Sequence, residues 1–294
     1  MCCGIAFLIF TGLLLAGGAG VVRHIFRIRA NIMFVIGFTA LLCMFCCLPV
    51  MAVLEKPSFP WGVHMLAFAA LFIAGALTAA VFYFLDRIYK CGGRGIIRWG
   101  ILLSCLAPFL MGIFLFDEAP QLLLLLSLPL LAVGLPTPEE KTKLQKGGIG
   151  AAFFAFTFAP LAQCMFSLPS YMEQSELISD SFRTFYFCTG VFTGTVFLAI
   201  RKRELLDSRK CFLPSLLMIG FALLACGLFV FNGIDRLTSF KTGLIAFPLM
   251  TGSAFAGFHL FRYFGLKEKV RPLQAAGLIF WVCILCAWLF SLCF

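Results

Sequence analysis

Carboxylates, histidines and long polar stretches are what this chain has least of. Of 294 residues only 13 are Asp or Glu and 3 are His, and charged residues of both signs make up 12%, about half of the roughly 25% usual in soluble chains. Apolar residues reach 62%, and no polar stretch is long enough to form a separate water-soluble unit, so a soluble globular protein is excluded. All the acidic residues fall in loops or at the ends of apolar runs. The carboxylate relays of proton pumps are therefore not expected, nor are the charged or nucleophilic clusters of membrane enzymes. The Lys-Ser/Thr of a phosphate loop does not follow Cys91-Gly92-Gly93-Arg94-Gly95, which reads as a turn. No catalytic residue, metal site or cofactor is expected, and the chain is not read as an enzyme.

Cysteine is abundant, at 14 residues, but almost all lie inside apolar runs, where a thiol behaves as a small buried group. Cys43, Cys46 and Cys47, and Cys283 with Cys286, have CxxC spacing without a neighbouring histidine or carboxylate. They read as packing residues rather than a metal or redox site.

What the chain does have is a ladder of apolar runs, near 4–22, 31–54, 62–85, 97–116, 120–136, 148–168, 184–200, 212–231, 242–261 and 273–293. Each is close to the ~20 residues that cross ~30 Å of hydrocarbon. The expected fold is all-α and integral to the membrane, with ten transmembrane helices. Basic residues choose one side. The odd-numbered loops carry Arg23, Arg27 and Arg29; Arg87, Lys90, Arg94 and Arg98; Lys141, Lys143 and Lys146; Arg201, Lys202, Arg203, Arg209 and Lys210; and Arg262, Lys267, Lys269 and Arg271. The even loops hold Lys56, Arg183, Arg236 and Lys241. The positive-inside rule then places the odd loops in the cytoplasm and both termini outside, in a cytoplasmic membrane. The net charge of +10 is thus a topology signal: the expected partner is the lipid bilayer, not nucleic acid. Positive charge follows the first apolar run instead of preceding it, so that run reads as a retained span, not a cleaved signal.

The two halves echo each other. Phe10-Thr11-Gly12-Leu13-Leu14-Leu15-Ala16 in the first span is matched by Phe156-Thr157-Phe158-Ala159-Pro160-Leu161-Ala162 in the sixth. Asp117-Glu118-Ala119-Pro120-Gln121 before the fifth span is matched by Lys267-Glu268-Lys269 and Gln274 before the tenth. Five spans is an odd number, so a repeat at residues 1–146 and 147–294 is an inverted repeat within one membrane domain. Stripes of small residues predict close helix crossings: Gly12, Ala16 and Gly20; Ala70, Ala74 and Thr78; Gly190 and Gly194; Gly252 and Ala256. Pro49, Pro108, Pro129, Pro160 and Pro248 fall within spans and read as kinks.

Candidate binding residues are the neutral polar side chains at depth. Gln163 leads, because an amide in an apolar span offers two donors and an acceptor to an uncharged or zwitterionic ligand. His259 follows, expected to share its interior with Thr251, Ser253 and Thr195, since a histidine in hydrocarbon must find a polar partner. Thr11, Thr157, Thr193 and Ser253 complete the expected small-molecule site, with Trp61, Phe153 and Tyr186 as stacking faces.

With ten spans, two five-span halves and a glutamate before the last helix of each, the whole chain resembles the drug/metabolite transporter superfamily in its ten-span EamA-like form. Leu266-Lys267-Glu268-Lys269, leading through Gln274 and Gly277, is similar to the family's ending; Phe116-Asp117-Glu118 looks like a second copy that keeps Gln121 but has no glycine. The resemblance implies a permease that moves a small polar metabolite, such as a sugar, amino acid or nucleoside, by alternating access. Members generally keep both termini in the cytoplasm, opposite to the charge count here. A five-plus-five carrier similar to the auxin-efflux or bile-acid symporter classes, whose helices four and nine are broken and crossed, suits Pro108 and Pro248. A non-transporting membrane enzyme or scaffold stays open beside both. No oligomeric state follows from these features.

Overall fold

A computed structural model describes residues 1–28, 30–54, 61–93, 96–97, 100, 104–118, 146–172, 177–202, 208–265 and 272–293. The expected fifth span at 120–136 and the Glu268 segment lie outside the described residues, as do the side chains of Trp61 and Gln274. Among the described residues there is no strand. The helices are α1 (Cys2–Arg27), α2 (Ile32–Leu54), α3 (Trp61–Lys90), α4 (Leu106–Phe116), α5 (Lys146–Ser167), α6 (Asp180–Lys202), α7 (Ser208–Leu224), α8 (Phe231–Thr238), α9 (Ala246–Leu260) and α10 (Pro272–Cys293). Six helical stretches are long and apolar enough to cross a membrane, and Leu106–Phe116, Cys211–Leu223 and Ala275–Ala287 are shorter apolar helices.

Helix is the only open-ended structure that satisfies its own backbone in an apolar medium, and these runs have the composition for it. Their outer faces stay apolar: Val53, Phe114 and Ile200 are each more than 70% exposed. Phe45, Met65, Phe153, Phe197 and Ile279 are likewise more than half exposed, as on helices whose outer faces meet lipid.

Two expectations about individual spans change. The eighth is longer than 212–231: α7 runs through a π-helical turn, Ala225–Val230, directly into α8, giving one rod over 208–238. Pro108 and Pro248 do not kink the middle of a helix. Each is the third residue of its helix, α4 and α9, where a missing N–H breaks no helical bond. Pro49 and Pro160 do lie inside α2 and α5, and Pro129 falls outside the described residues.

Helices of the first half pack mainly on helices of the second. α3 lies along α5 and α6, α2 along α6 and α7, and α1 along α9 and the α7–α8 rod, while α4 meets α5 and the turn before α9. Small residues set the closest of these approaches. A Cβ at Gly75 would collide with the backbone of Phe187 and Val191, and one at Gly190 with the Phe72 carbonyl. Gly194 meets Ala76 and Ala79 in the same crossing. On the other side, Gly12 faces the Met250 carbonyl and Ser253, and Gly257 faces Leu13 and Ala16. Gly12 and Ala16, and Gly190 with Gly194, lie at these crossings as expected; on α3 the close approach is made by Gly75, Ala76 and Ala79, and on α9 by Gly257, while Gly252 admits the Trp281 indole of α10.

Contacts at helix ends sort the loops. Phe26 stacks on Tyr89 at 4.3 Å, Gly147 lies beside Arg87, and the Cys211 thiol reaches the Asn31 carbonyl. Those residues flank odd-numbered loops. At the opposite end Gly4 packs on Gly233 and Arg236, and Thr238 donates to the Ser170 carbonyl. We call the two ends of the bundle odd and even. One apolar cluster, including Ile5, Leu8, Phe109, Phe231, Leu237 and Leu249, fills the region between α1, α4, α8 and α9; a second joins α2, α6 and α7.

Gly190→Leu is expected to destabilise the fold by about 1–3 kcal/mol or more through overpacking, because the neighbour is backbone and cannot rotate away. Gly62→Ala, which meets nothing within 4 Å, serves as the neutral reference. Thermal unfolding of both variants in detergent checks the contrast.

Candidate functional site

A chain of neutral polar groups joins three helices. Gln163 of α5 donates from Nε2 to Ser104 Oγ at 2.8 Å. Beside Ser104, the fully buried Cys105 places its sulfur 2.9 Å from Thr251 Oγ1 of α9 and reaches the Phe247 carbonyl at 3.8 Å. Cys105 and Thr251 stand at the centres of the expected fourth and ninth spans. Among the described residues, the buried Oε1 of Gln163 has no hydrogen-bond partner. A buried amide oxygen without a donor carries a desolvation cost of about 1–3 kcal/mol, which a bound donor relieves.

The other expected site residues are distributed unevenly. Thr11 and Ser253 are buried where α1 crosses α9, but each hydroxyl donates to its own helix, to the Phe7 and Leu249 carbonyls. His259 is buried in the same helix as Ser253. Its proposed companions bond elsewhere: Thr251 to Cys105, and Thr195 to the Phe192 carbonyl where α6 passes Gly37. Thr157 and Thr193 are exposed on the outside of the bundle, and Thr157 donates to the Phe153 carbonyl. These two stand apart from the polar chain. Phe153 also faces outward, and Tyr186 is occupied by His64, whose Nδ1 lies 3.0 Å from its hydroxyl. Gln163 is thus the expected residue that the fold brings into a polar cluster.

Two features were not legible as site chemistry in the sequence. Carboxylates are not confined to exposed positions: Asp86 and Glu118 are both buried. Asp86 accepts from Lys90 one turn along α3. Glu118 is held instead by neutral donors. The backbone N–H groups of Gly243 and Leu244 donate to its Oε1 and Oε2 at 2.8 and 2.6 Å, and the Tyr171 hydroxyl donates as well. Burial pushes its carboxyl above the usual range, and the three donors oppose that rise.

The second feature is a charged cluster at the even end. Arg183 of α6, with no exposed surface, donates from Nη1 to both oxygens of Asp235 of α8, at 2.9 and 2.8 Å. Its guanidinium lies 5.6 Å from the centre of the Phe231 ring, which itself stacks on Phe166. Asn232 donates to Asp180 in the first turn of α6, where a carboxylate also suits the helix dipole. One of the few basic residues of the even loops is therefore neutralised within the fold. Among the described residues, no group of three or more His, Cys, Asp or Glu is placed to hold a metal.

Removing one member of a buried ion pair strands the other. Asp235→Ala is expected to cost about 3–5 kcal/mol, and Arg183→Met with Asp235→Leu together substantially less. Unfolding midpoints of the single and double variants test that ordering.

No protein-family model matches this chain, and no curated protein matches it. Solved structures do match: one described only as "Crystal structure of protein" shares its fold with a TM-score of 0.65, covering 95% of this chain and 94% of that one at 12% identity. The likeness is one of architecture, an all-helical fold carried over nearly the full length of both chains.

Proposed function

We propose that the protein is a ten-span carrier of the drug/metabolite transporter type, moving a small polar metabolite across the cytoplasmic membrane by alternating access. The observation that carries this reading is an exchange relation among neighbours. If the first to fifth spans are exchanged with the sixth to tenth, α1 becomes α5, α2 becomes α6, α3 becomes the α7–α8 rod, and α4 becomes α9. The contact of α3 with α5 then maps onto that of the rod with α1, α3–α6 onto rod–α2, and α1–α9 onto α5–α4; the α2–α6 contact maps onto itself. Helices related in this way run in opposite directions: α1 starts at the even end beside Gly233, and α5 starts at the odd end beside Arg87. That relation supports the reading of an inverted repeat, in which one arrangement of the two halves exposes a central site to one side and the arrangement related to it by a pseudo-two-fold axis exposes it to the other.

The polar chain supports a particular class of substrate. Gln163, Ser104, Cys105 and Thr251 carry no formal charge and belong to spans four, six and nine, from both halves. Gln163 Oε1 waits for a donor, so the ligand presents a hydroxyl, amide or ammonium to it. A multiply charged solute finds no counter-ion in this cluster. The odd end, with most of the basic side chains, lies in the cytoplasm under the same reading.

Wild-type protein reconstituted in vesicles is expected to take up or release one component of a labelled pool of sugars, amino acids and nucleosides. Gln163→Ala should lower that flux by about tenfold or more, in line with loss of one buried hydrogen bond to the ligand. A pool that behaves as in empty vesicles removes the carrier reading. Sidedness has its own test in native cysteines, since Cys2 and Cys3 are exposed at the even end and Cys91 sits in the turn after α3. On intact cells a membrane-impermeant maleimide is expected to modify Cys2 and Cys3 and to spare Cys91. The reverse pattern means the opposite orientation.

A further inference from the structure

We propose that Glu118 is the latch that keeps the even end of the carrier closed, a carboxylate of the first half gripping the start of a helix of the second. The inference rests on the carrier reading above and adds the point at which the two halves must part.

Local structure aims Glu118 at this task. α4 ends in Asp117 with φ 50°, a left-handed turn that lets the Glu118 N–H return to the Gly112 carbonyl. The carboxylate is thereby carried over the helical turn Gly243–Ile245 that opens α9. Thr242, at the N-cap of that turn, supplies no side-chain capping bond. Glu118, 125 residues away in sequence, supplies it instead through the N–H groups of Gly243 and Leu244. A carboxylate at this position also meets the positive end of the helix dipole.

The surroundings are shaped to fit it. A Cβ at Gly112 would come within 2.8 Å of Glu118 Oε2 and 2.6 Å of Leu244, and one at Gly243 within 2.5 Å of the Tyr171 hydroxyl. Phe116 stacks on the Tyr171 ring at 3.9 Å, which fixes that donor in place. Three elements are therefore tied at one point: the end of α4, the turn after α5 and the start of α9.

Other polar ties at this end have a different character. Arg183 with Asp235, Asn232 with Asp180 and Thr238 with Ser170 each join elements of the second half to one another. His64 with Tyr186 does cross between halves, through a neutral contact beside the Phe182 ring. Glu118 crosses between halves with an ionisable group and three donors. It also sits above the polar chain: Tyr171 is eight residues beyond Gln163 and Gly243 eight before Thr251, roughly 12 Å along each helix. Access from the even side to Ser104, Gln163 and Thr251 requires α4 and α9 to separate at Glu118.

Native cysteines give a readout that needs no substrate. Cys105 and Cys164 border the polar chain, whereas Cys43 and Cys188 are buried in the cluster between α2 and α6. The experiment uses sealed vesicles of the full chain in which Cys2 and Cys3 react with an impermeant maleimide and Cys91 does not. Glu118→Ala is expected to speed modification of Cys105 and Cys164 on the order of tenfold, with Cys43 and Cys188 still protected. Tyr171→Phe, which deletes one donor and keeps the carboxylate, is expected to give a smaller rise in the same two residues. Unchanged reactivity of Cys105 and Cys164 in both variants overturns the latch. Equal exposure of all four cysteines overturns it too, because then the fold rather than a gate has opened. Absence of metabolite flux in wild-type vesicles counts against the carrier reading alone and leaves the cysteine result intact.

Discussion

Backbone contact between α3 and α6 is the constraint on which the rest of the architecture depends. Gly75 and Gly190 let two long helices touch without side chains between them, at a place where any Cβ meets main chain. In an apolar medium helices gain little by hiding hydrophobic surface from one another, so close packing and short polar contacts must supply the attraction. Once α3 and α6 are fixed, α5 lies along α3 and α2 along α6. The crossing of α1 with α9 through Gly12 and Gly257 fixes the other flank.

The polar groups follow the same economy. Most hydroxyls at depth bond to a carbonyl three or four residues back, as Thr11, Thr78, Thr189, Ser215 and Ser253 do. A hydroxyl satisfied that way makes no demand on its neighbours. Side chains that reach across helices mark where helices must hold a defined rotation, among them Gln163 to Ser104, Cys105 to Thr251, Arg183 to Asp235, and Glu118 to Gly243 and Leu244.

Hydropathy made the class of fold and most helix positions legible, because twenty apolar residues in a row have few alternatives. Small-residue stripes located two of the crossings, α3 with α6 and α1 with α9, since they are local patterns with a direct steric meaning. Helix rotation was not legible. α2 and α5 are apolar around most of their circumference, so nothing local told Thr157, which faces outward, from Gln163, which faces Ser104. Burial of Glu118 was equally hidden. A carboxylate at the end of an apolar run reads as solvated until the uncapped start of another helix is folded against it, and that partner is 125 residues away. No local hint was available, because Thr242 reads as a favourable N-cap in sequence and only the fold shows that its side chain does not cap the turn at Gly243. Arg183 did give a hint, as a basic residue on the side that basic residues avoid.

The π-helical turn at Ala225–Val230 lets one rod serve two layers. An extra residue in a helix advances the following face by about 100°. Before the turn, Ser215 accepts from Thr39 and Cys211 lies against Asn31, both at α2. Beyond it, Gly233 packs on Leu8 of α1, and Asn232 and Asp235 reach α6. A regular helix of the same length would hold one azimuth from end to end. The turn acts as a phase shift: α1 stays beside the rod on both sides of it, through Gly17 on Phe221 and Leu8 on Gly233, while the second neighbour changes from α2 to α6.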